Sequence, residues 1–122
     1  MRLTKHGAIL FAVLTPAAFA LTLQEKISTY AELSAPELTA IMIGEVRACE
    51  TQSADFRVKA EEKLKKLDKT AEYQRIVNSS EYAAVEPEAK RLGASKMAAN
   101  PKSCPNRLTQ LDTAYAQALR AK

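Results

Sequence analysis

The spacing of apolar residues is the feature that most restricts what this chain can fold into. After residue 20, apolar side chains recur three and four residues apart, and no long alternation of apolar and polar residues occurs. Such spacing places side chains on one face of an α-helix, whereas a strand requires a period of two. Only two glycines, Gly44 and Gly93, lie in this region. We therefore predict an all-α fold, a small bundle of three to five helices.

Polar residues ahead of the apolar stripes predict where the first helices begin. Ser34 and Glu37 form a capping-box pattern, and Ser53 is a suitable N-cap for the next helix. Past Ala71 the apolar stripe loses phase, which predicts a kink or a new short helix that starts at Thr70. The lysine-rich face of the helix after Ser53 is expected to be solvated. The residues predicted to face inward are Leu38, Ile41, Met42, Val46 and Cys49 in the first helix, and Phe56, Ala60, Leu64, Leu67 and Ala71 in the second.

Proline and serine are predicted to divide the C-terminal half into two further helices. Pro87 lacks a backbone N–H, so we expect a helix to begin near it and not to run unbroken through Glu86. Ser103 is the predicted N-cap of the last helix. The inward residues are then Ala89, Leu92 and Met97, followed by Leu108, Leu111, Tyr115, Ala118 and Leu119. A short lead helix is expected within residues 23–30.

The first 20 residues have the pattern of a cleavable secretory signal peptide. Arg2 and Lys5 precede an uncharged, mostly apolar run that ends in Ala18-Phe19-Ala20, which suits a signal peptidase. The alternative is an uncleaved N-terminal anchor. We predict a single helical domain over 21–122, secreted or periplasmic, with no stable membrane insertion. Removal of 1–20 lowers the net charge from +4 to +2, which predicts no nucleic-acid partner.

The two cysteines predict one structural staple. Cys49 and Cys104 both follow the leader, and an oxidising compartment favours a bond between them. The phase of Cys49 on its helix also points it inward. A reactive thiol or an intermolecular bridge remains the alternative.

Few residues are available for catalysis or for metal binding. The only histidine, His6, lies in the leader, so the exported domain would lack Ser-His and Cys-His chemistry as well as the commonest transition-metal ligand. We expect no cofactor. Glu45 is the best candidate acid because it falls on an apolar helix face. It is more simply a boundary glutamate that reaches water or pairs with Arg47 or a lysine. We predict no enzyme, with a carboxylate-based hydrolase as the alternative.

The four tyrosines are candidates for a ligand groove. Each offers a ring and a hydroxyl group to an apolar or sterol-like ligand. The same properties suit a tyrosine at the boundary of a core, so both interpretations remain open. The candidates are Tyr30, Tyr73, Tyr82 and Tyr115.

Two short segments resemble the oomycete elicitins. Residues Met97 to Cys104 read Met-Ala-Ala-Asn-Pro-Lys-Ser-Cys, and Cys49 is followed by Glu-Thr-Gln. Elicitins are secreted helical proteins that carry sterols and provoke plant defences, and one of their disulfides closes after an Asn-Pro. The resemblance implies a Cys49–Cys104 bridge and an apolar ligand. It does not extend to cysteine number, since elicitins have several disulfides, and no sterol-contacting residue carries over.

Taken together, these features predict a non-enzymatic binding protein, in the manner of an effector or elicitor-like carrier of an apolar ligand. The alternative is a periplasmic adaptor, chaperone or inhibitor that binds a partner protein through a helix face. A cavity between helices favours the carrier, and an exposed apolar patch favours the adaptor.

Overall fold

The computed structural model describes residues 21–29 and 31–121, and this part of the chain contains helices and no strand. The predicted signal peptide over 1–20 and Tyr30 lie outside the described residues. The all-α prediction is confirmed, with six helices in the described residues where three to five were expected. They are α1 (Leu23–Ser28), α2 (Ala35–Glu50), α3 (Ala54–Asp68), α4 (Ala71–Val77), α5 (Ser80–Ala99) and α6 (Cys104–Arg120), with a 3₁₀ turn at Pro101–Ser103 before α6.

The chain separates into two compact units, Met1–Ala31 and Glu32–Lys122. The first unit contains α1, which begins with a capping box between Thr22 and Glu25. The second unit contains α2 to α6. All further description concerns this second unit.

Helices α2, α3, α4 and α6 of the second unit begin where the sequence predicted a helix start. Ser34 accepts a hydrogen bond from the Glu37 backbone N–H, and the Glu37 carboxylate accepts one from the Ser34 N–H at 2.8 Å. Ser53 caps α3 and Thr70 caps the short α4 in the same way. Ser103 does not cap α6, because the 3₁₀ turn already supplies the preceding residues in helical conformation. Its hydroxyl donates instead to the Asn100 carbonyl at 2.8 Å.

The hydrophobic core lies between the C-terminal half of α2, α3, the end of α5 and the first half of α6. The predicted stripe of α3 is confirmed from Phe56 to Leu67. Ala71 is exposed, because a new helix begins there and changes the phase. Leu119 is also exposed, since it lies about 80° around α6 from the buried Leu111 at 3.6 residues per turn. The core residues are Val46, Cys49, Phe56, Ala60, Leu64, Leu67, Met97, Cys104 and Leu111.

Helices α2 and α5 meet at the two glycines of this unit. A Cβ atom at Gly44 would stand 2.6 Å from the Ala89 carbonyl oxygen, and one at Gly93 would stand 2.5 Å from the Gly44 carbonyl carbon. Backbone therefore touches backbone at this crossing, which no larger residue permits at either position.

Helix α5 runs through Pro87, so the prediction of a helix start near this residue is wrong. The helix begins seven residues earlier, with Ser79 as its N-cap. Pro87 has no N–H to bond the Ala83 carbonyl. Both residues are exposed, so water can satisfy that carbonyl group and the cost of the proline remains local.

The predicted disulfide is confirmed. Cys49 and Cys104 are bonded with their Cα atoms 5.7 Å apart, and the chain contains no free cysteine. Both cysteines are buried in the core. The bond joins the end of α2 to the first residue of α6.

Candidate functional site

Helices α2 and α6 lie side by side in opposite directions, and the surface between them forms a groove. The disulfide holds one end of the pair. One turn further along, Glu45 of α2 contacts Arg107 of α6 at 2.7 Å. The far end of the groove is lined by Ala35 near the start of α2 and Ala121 just after α6. Contacts that pair late residues of α2 with early residues of α6 define this antiparallel arrangement.

An ionic cluster forms the end of the groove nearest the disulfide. Glu45 is 5% exposed and Arg107 is 7% exposed. Besides its contact with Arg107, the Glu45 carboxylate lies 3.3 Å from the Nζ atom of Lys96 on α5, whose side chain is 57% exposed. The expected pairing of Glu45 with a lysine is therefore confirmed, but not its expected reach into water. Arg47 pairs instead with Glu50 at 2.9 Å.

Arg107 is incompletely satisfied by this cluster. Its Nε atom is close to Glu45, but the N–H points too far from the oxygen to make a hydrogen bond. Among the described residues, Glu45 is the one side-chain partner that Arg107 has. A guanidinium group carries five N–H donors, and this one lines the groove. The site thus contains a buried cation with hydrogen-bond donors that have no partner among the described residues.

The rest of the groove is largely apolar. Leu38 is 54% exposed, and Ile41 and Met42 are partly exposed. The prediction that the whole apolar face of α2 packs inward is wrong for Leu38. Val46 and Cys49 are part of the core, and Met42 packs against it while partly buried.

Two adjoining cavities make up the groove. The cavity at the ionic end has a volume of about 430 Å³, and the one at the apolar end about 220 Å³. They adjoin each other, since both are lined by Leu38, Thr39, Met42, Ala114 and Gln117. Ligand pockets commonly have volumes of about 300–1,000 Å³, so the groove is large enough for a small elongated molecule.

The structure brings two of the four candidate tyrosines together beside α2, and one of them, Tyr73, also lines the apolar end of the groove. Tyr73 and Tyr82 line an open cavity of about 480 Å³ beside α2, together with Arg47. Burial, assisted by the neighbouring Tyr82 and Asp68, raises the pKa of Tyr73 to about 12. Burial also raises the pKa of Tyr82. Both tyrosines therefore remain neutral at physiological pH.

Tyr115 does not join this cavity. It packs against the core on α6, and the Nζ atom of Lys66 lies 5.6 Å from its ring centroid. This is a cation–π contact, typical of an amphipathic side chain at the boundary of a core. The described residues therefore do not form a single groove lined by all four tyrosines.

Sequence reasoning missed Arg107 and Lys96 as members of the ionic cluster. The helical phase of Glu45 indicated that this residue needs a partner, because a glutamate on an apolar face loses contact with water. No pattern indicated which cation would provide it, since Arg107 lies 62 residues further along the chain. Within the described part of the chain, no group of three histidine, cysteine, aspartate or glutamate side chains is placed to bind a metal ion.

None of the helices in the described ranges is both long and apolar enough to cross a bilayer. Comparison of the chain with protein-family models, with curated proteins and with solved structures finds no match.

Proposed function

We propose that this protein is a secreted or periplasmic, non-enzymatic binding protein that holds the apolar part of a ligand in the α2–α6 groove. The carrying observation is the exposure of Leu38, 54%, inside a groove that is also lined by the partly buried Met42 and Tyr73. Full burial of a leucine side chain is worth about 1.5–3 kcal/mol. A ligand that covers Leu38 removes its exposed surface from water, and this burial contributes to the free energy of binding.

Export is supported by the leader pattern and by the disulfide. Disulfides form and persist in oxidising compartments and are rare in the cytosol. The elicitin resemblance points in the same direction, towards a secreted carrier of an apolar molecule. Because the groove is open along its length, the ligand would lie along the surface of the helices.

Binding of Nile red, a neutral apolar dye, tests this proposal with protein secreted through its own leader. We expect a saturable fluorescence increase with one site per chain. Leu38→Asp should weaken the binding at least tenfold, because it places a charge against the apolar wall. Val58→Asp is the matched control, since Val58 is 66% exposed on α3, away from the groove. Absence of saturable binding, or equal loss in both variants, contradicts the proposal.

A partner-protein adaptor is the second candidate, because an open groove with an exposed leucine also suits an amphipathic helix. A photo-crosslinking residue at position 38 distinguishes the two candidates in the living host. The carrier gives an adduct with the mass of a small molecule, and the adaptor gives one with the mass of a protein.

The enzyme alternative depends on Glu45. Its carboxylate is already engaged by Arg107 and Lys96, which suits a structural or binding role. A measured turnover that disappears in Glu45→Gln while the fold is preserved would show that the protein is a hydrolase.

A further inference from the structure

We infer that the ligand of the α2–α6 groove is an alkyl chain with a single negative charge at one end, and that Arg107 binds this anionic headgroup. The inference rests on the binding role proposed above for the same groove. It adds the chemistry of the head, the residue that recognises it and the direction in which the ligand lies.

The charge of the ionic end supports an anionic headgroup. Among the residues that line this cavity, Lys96 and Arg107 are positive and Glu45 is negative. The cluster therefore carries one net positive charge at neutral pH. A monoanion neutralises it, whereas a cationic headgroup would add a second uncompensated positive charge.

The hydrogen bonding of Arg107 supports the same conclusion. Its side chain is more than nine-tenths buried, its Nε makes no hydrogen bond, and Glu45 is its one side-chain partner in the described part of the chain. Buried polar groups in proteins nearly always have partners. An anionic oxygen in the groove would give the guanidinium group the charge-assisted hydrogen bonds that it lacks.

The apolar stretch supports an alkyl tail attached to this head. From Glu45 to Ala35 the groove follows ten residues of α2, a length of about 15 Å at 1.5 Å per residue. Leu38 and Met42 line it on one side and Ala114 on the other. Among the described residues, the one charged residue that lines the other end is Glu72, which is negative and paired with Arg75. An anionic head is therefore favoured at Arg107, with the tail towards Ala121.

Displacement of Nile red by a matched series of twelve-carbon amphiphiles tests the inference on the wild-type protein. The probes are dodecanoate, dodecyl sulfate, dodecan-1-ol and dodecyltrimethylammonium, each below its critical micelle concentration. We expect the two anions to bind roughly tenfold or more tightly than the alcohol, and the cation to bind most weakly. The comparison of dodecanoate with dodecyl sulfate identifies which anionic head is preferred.

Charge-neutral variants test the role of Arg107. The double variant Glu45→Gln with Arg107→Gln should bind the alcohol as before and keep only the small preference for anions that Lys96 supplies. The matched control is Arg47→Gln with Glu50→Gln, which removes an ion pair from α2 outside the groove. Lys96→Gln, at an exposed position that leaves the fold intact, should weaken anion binding roughly two- to fivefold.

Two outcomes overturn the inference. Equal affinity for dodecanoate and dodecan-1-ol in the wild type does so without any variant, and therefore does not depend on the folding of the double variant. Retention of the full, tenfold anion preference in a folded double variant does so as well. In both cases Nile red would still bind and still respond to Leu38→Asp, so the proposed binding function would stand. Failure of Nile red and of all four amphiphiles to bind would remove both proposals.

Discussion

Glu45 and Arg107 are two opposite charges held almost completely out of water. The effective cost of removing such groups from water is several kcal/mol per ion, and their attraction offsets it only when the pair is intact. Lys96 adds a partially solvated cation on the other carboxylate oxygen. The pair is therefore a place where a single substitution has a large effect and a double substitution a smaller one.

A double-mutant cycle checks this expectation. Glu45→Leu leaves Arg107 buried without its partner and should lower the free energy of unfolding by about 3–5 kcal/mol. Glu45→Leu combined with Arg107→Leu should cost less than Glu45→Leu alone, because no buried charge is then left unpaired. Urea denaturation of the wild type, both single variants and the double variant gives the coupling free energy between Glu45 and Arg107. Additive losses would show that the two charges do not interact.

Tyr73 predicts how stability depends on high pH. An unfolded tyrosine ionises near pH 10, whereas burial raises the pKa of Tyr73 to about 12 in the folded protein. Between these values the unfolded chain releases a proton that the folded protein keeps. The contribution of Tyr73 is therefore fully present below about pH 10 and is lost as the pH rises towards 12.

Tyr73→Phe should make stability less sensitive to pH in this window. The measurement is the free energy of unfolding in urea at pH 9 and pH 11 for wild type and variant. Tyr115→Phe is the control, because Tyr115 lies outside this cavity. An equal loss of stability in wild type and Tyr73→Phe would mean that Tyr73 titrates as it does in water.

At the scale of elements, α2 contacts its two neighbours in different ways. Towards α5 the contact is close, and glycine allows the two backbones to touch at Gly44 and Gly93. Towards α6 the disulfide and the Glu45–Arg107 pair join the two helices at one end. Beyond that point Leu38 and Met42 line the open groove. The groove exists because one side of α2 is fixed and the other is covered only at one end.

The glycine crossing predicts the effect of one methyl group. Gly93→Ala gains helix propensity of about 1 kcal/mol, but its Cβ would lie 2.5 Å from the α2 backbone, which cannot move aside as a side chain can. We expect a net destabilisation of about 1–3 kcal/mol from overpacking. Ser95→Ala, at an exposed position of the same helix, should change stability by less than about 0.5 kcal/mol. Thermal denaturation compares the stability of the two variants. A Gly93→Ala variant more stable than the wild type would contradict the close backbone contact between α2 and α5.

At the scale of the whole molecule, the disulfide is a major contribution to stability. Its cysteines are 55 residues apart in sequence. Closing a loop of this length is worth about 4 kcal/mol in the chain-entropy model. Since a small domain has a net stability of only about 5–15 kcal/mol, this is a large fraction of the total.

Reduction of the disulfide should therefore lower the melting temperature by well over ten degrees, since about 4–8 °C is lost per kcal/mol in a domain of this size. Circular dichroism with and without reductant measures the change, with Cys49→Ala combined with Cys104→Ala as a control for effects of the reductant. Intact-mass analysis after alkylation verifies the bond. Two freely alkylated thiols in protein purified without reductant would contradict the structure.

The sequence alone determined the features that depend on residues close together in the chain. Helix starts at Ser34, Ser53 and Thr70 follow from hydrogen bonds that span three residues, and such contacts are specified by the local sequence. The core stripe of α3 follows from its regular spacing. The disulfide was also predicted from sequence, because a chain with two cysteines allows a single intramolecular pairing.

Only the tertiary structure decided which parts of those helices are covered. The apolar face of α2 is uniform in sequence, yet Val46 is buried and Leu38 is exposed. The difference depends on which residues of the other helices cover each side chain. The same holds for the partner of Glu45, which is brought from a distant helix. The position of Pro87 within α5 was likewise decided by the tertiary structure. Pro87 is exposed to solvent, so water can replace the missing backbone hydrogen bond. Local hydrogen bonds fix where a helix begins, but burial is set by neighbours that the local sequence does not contain.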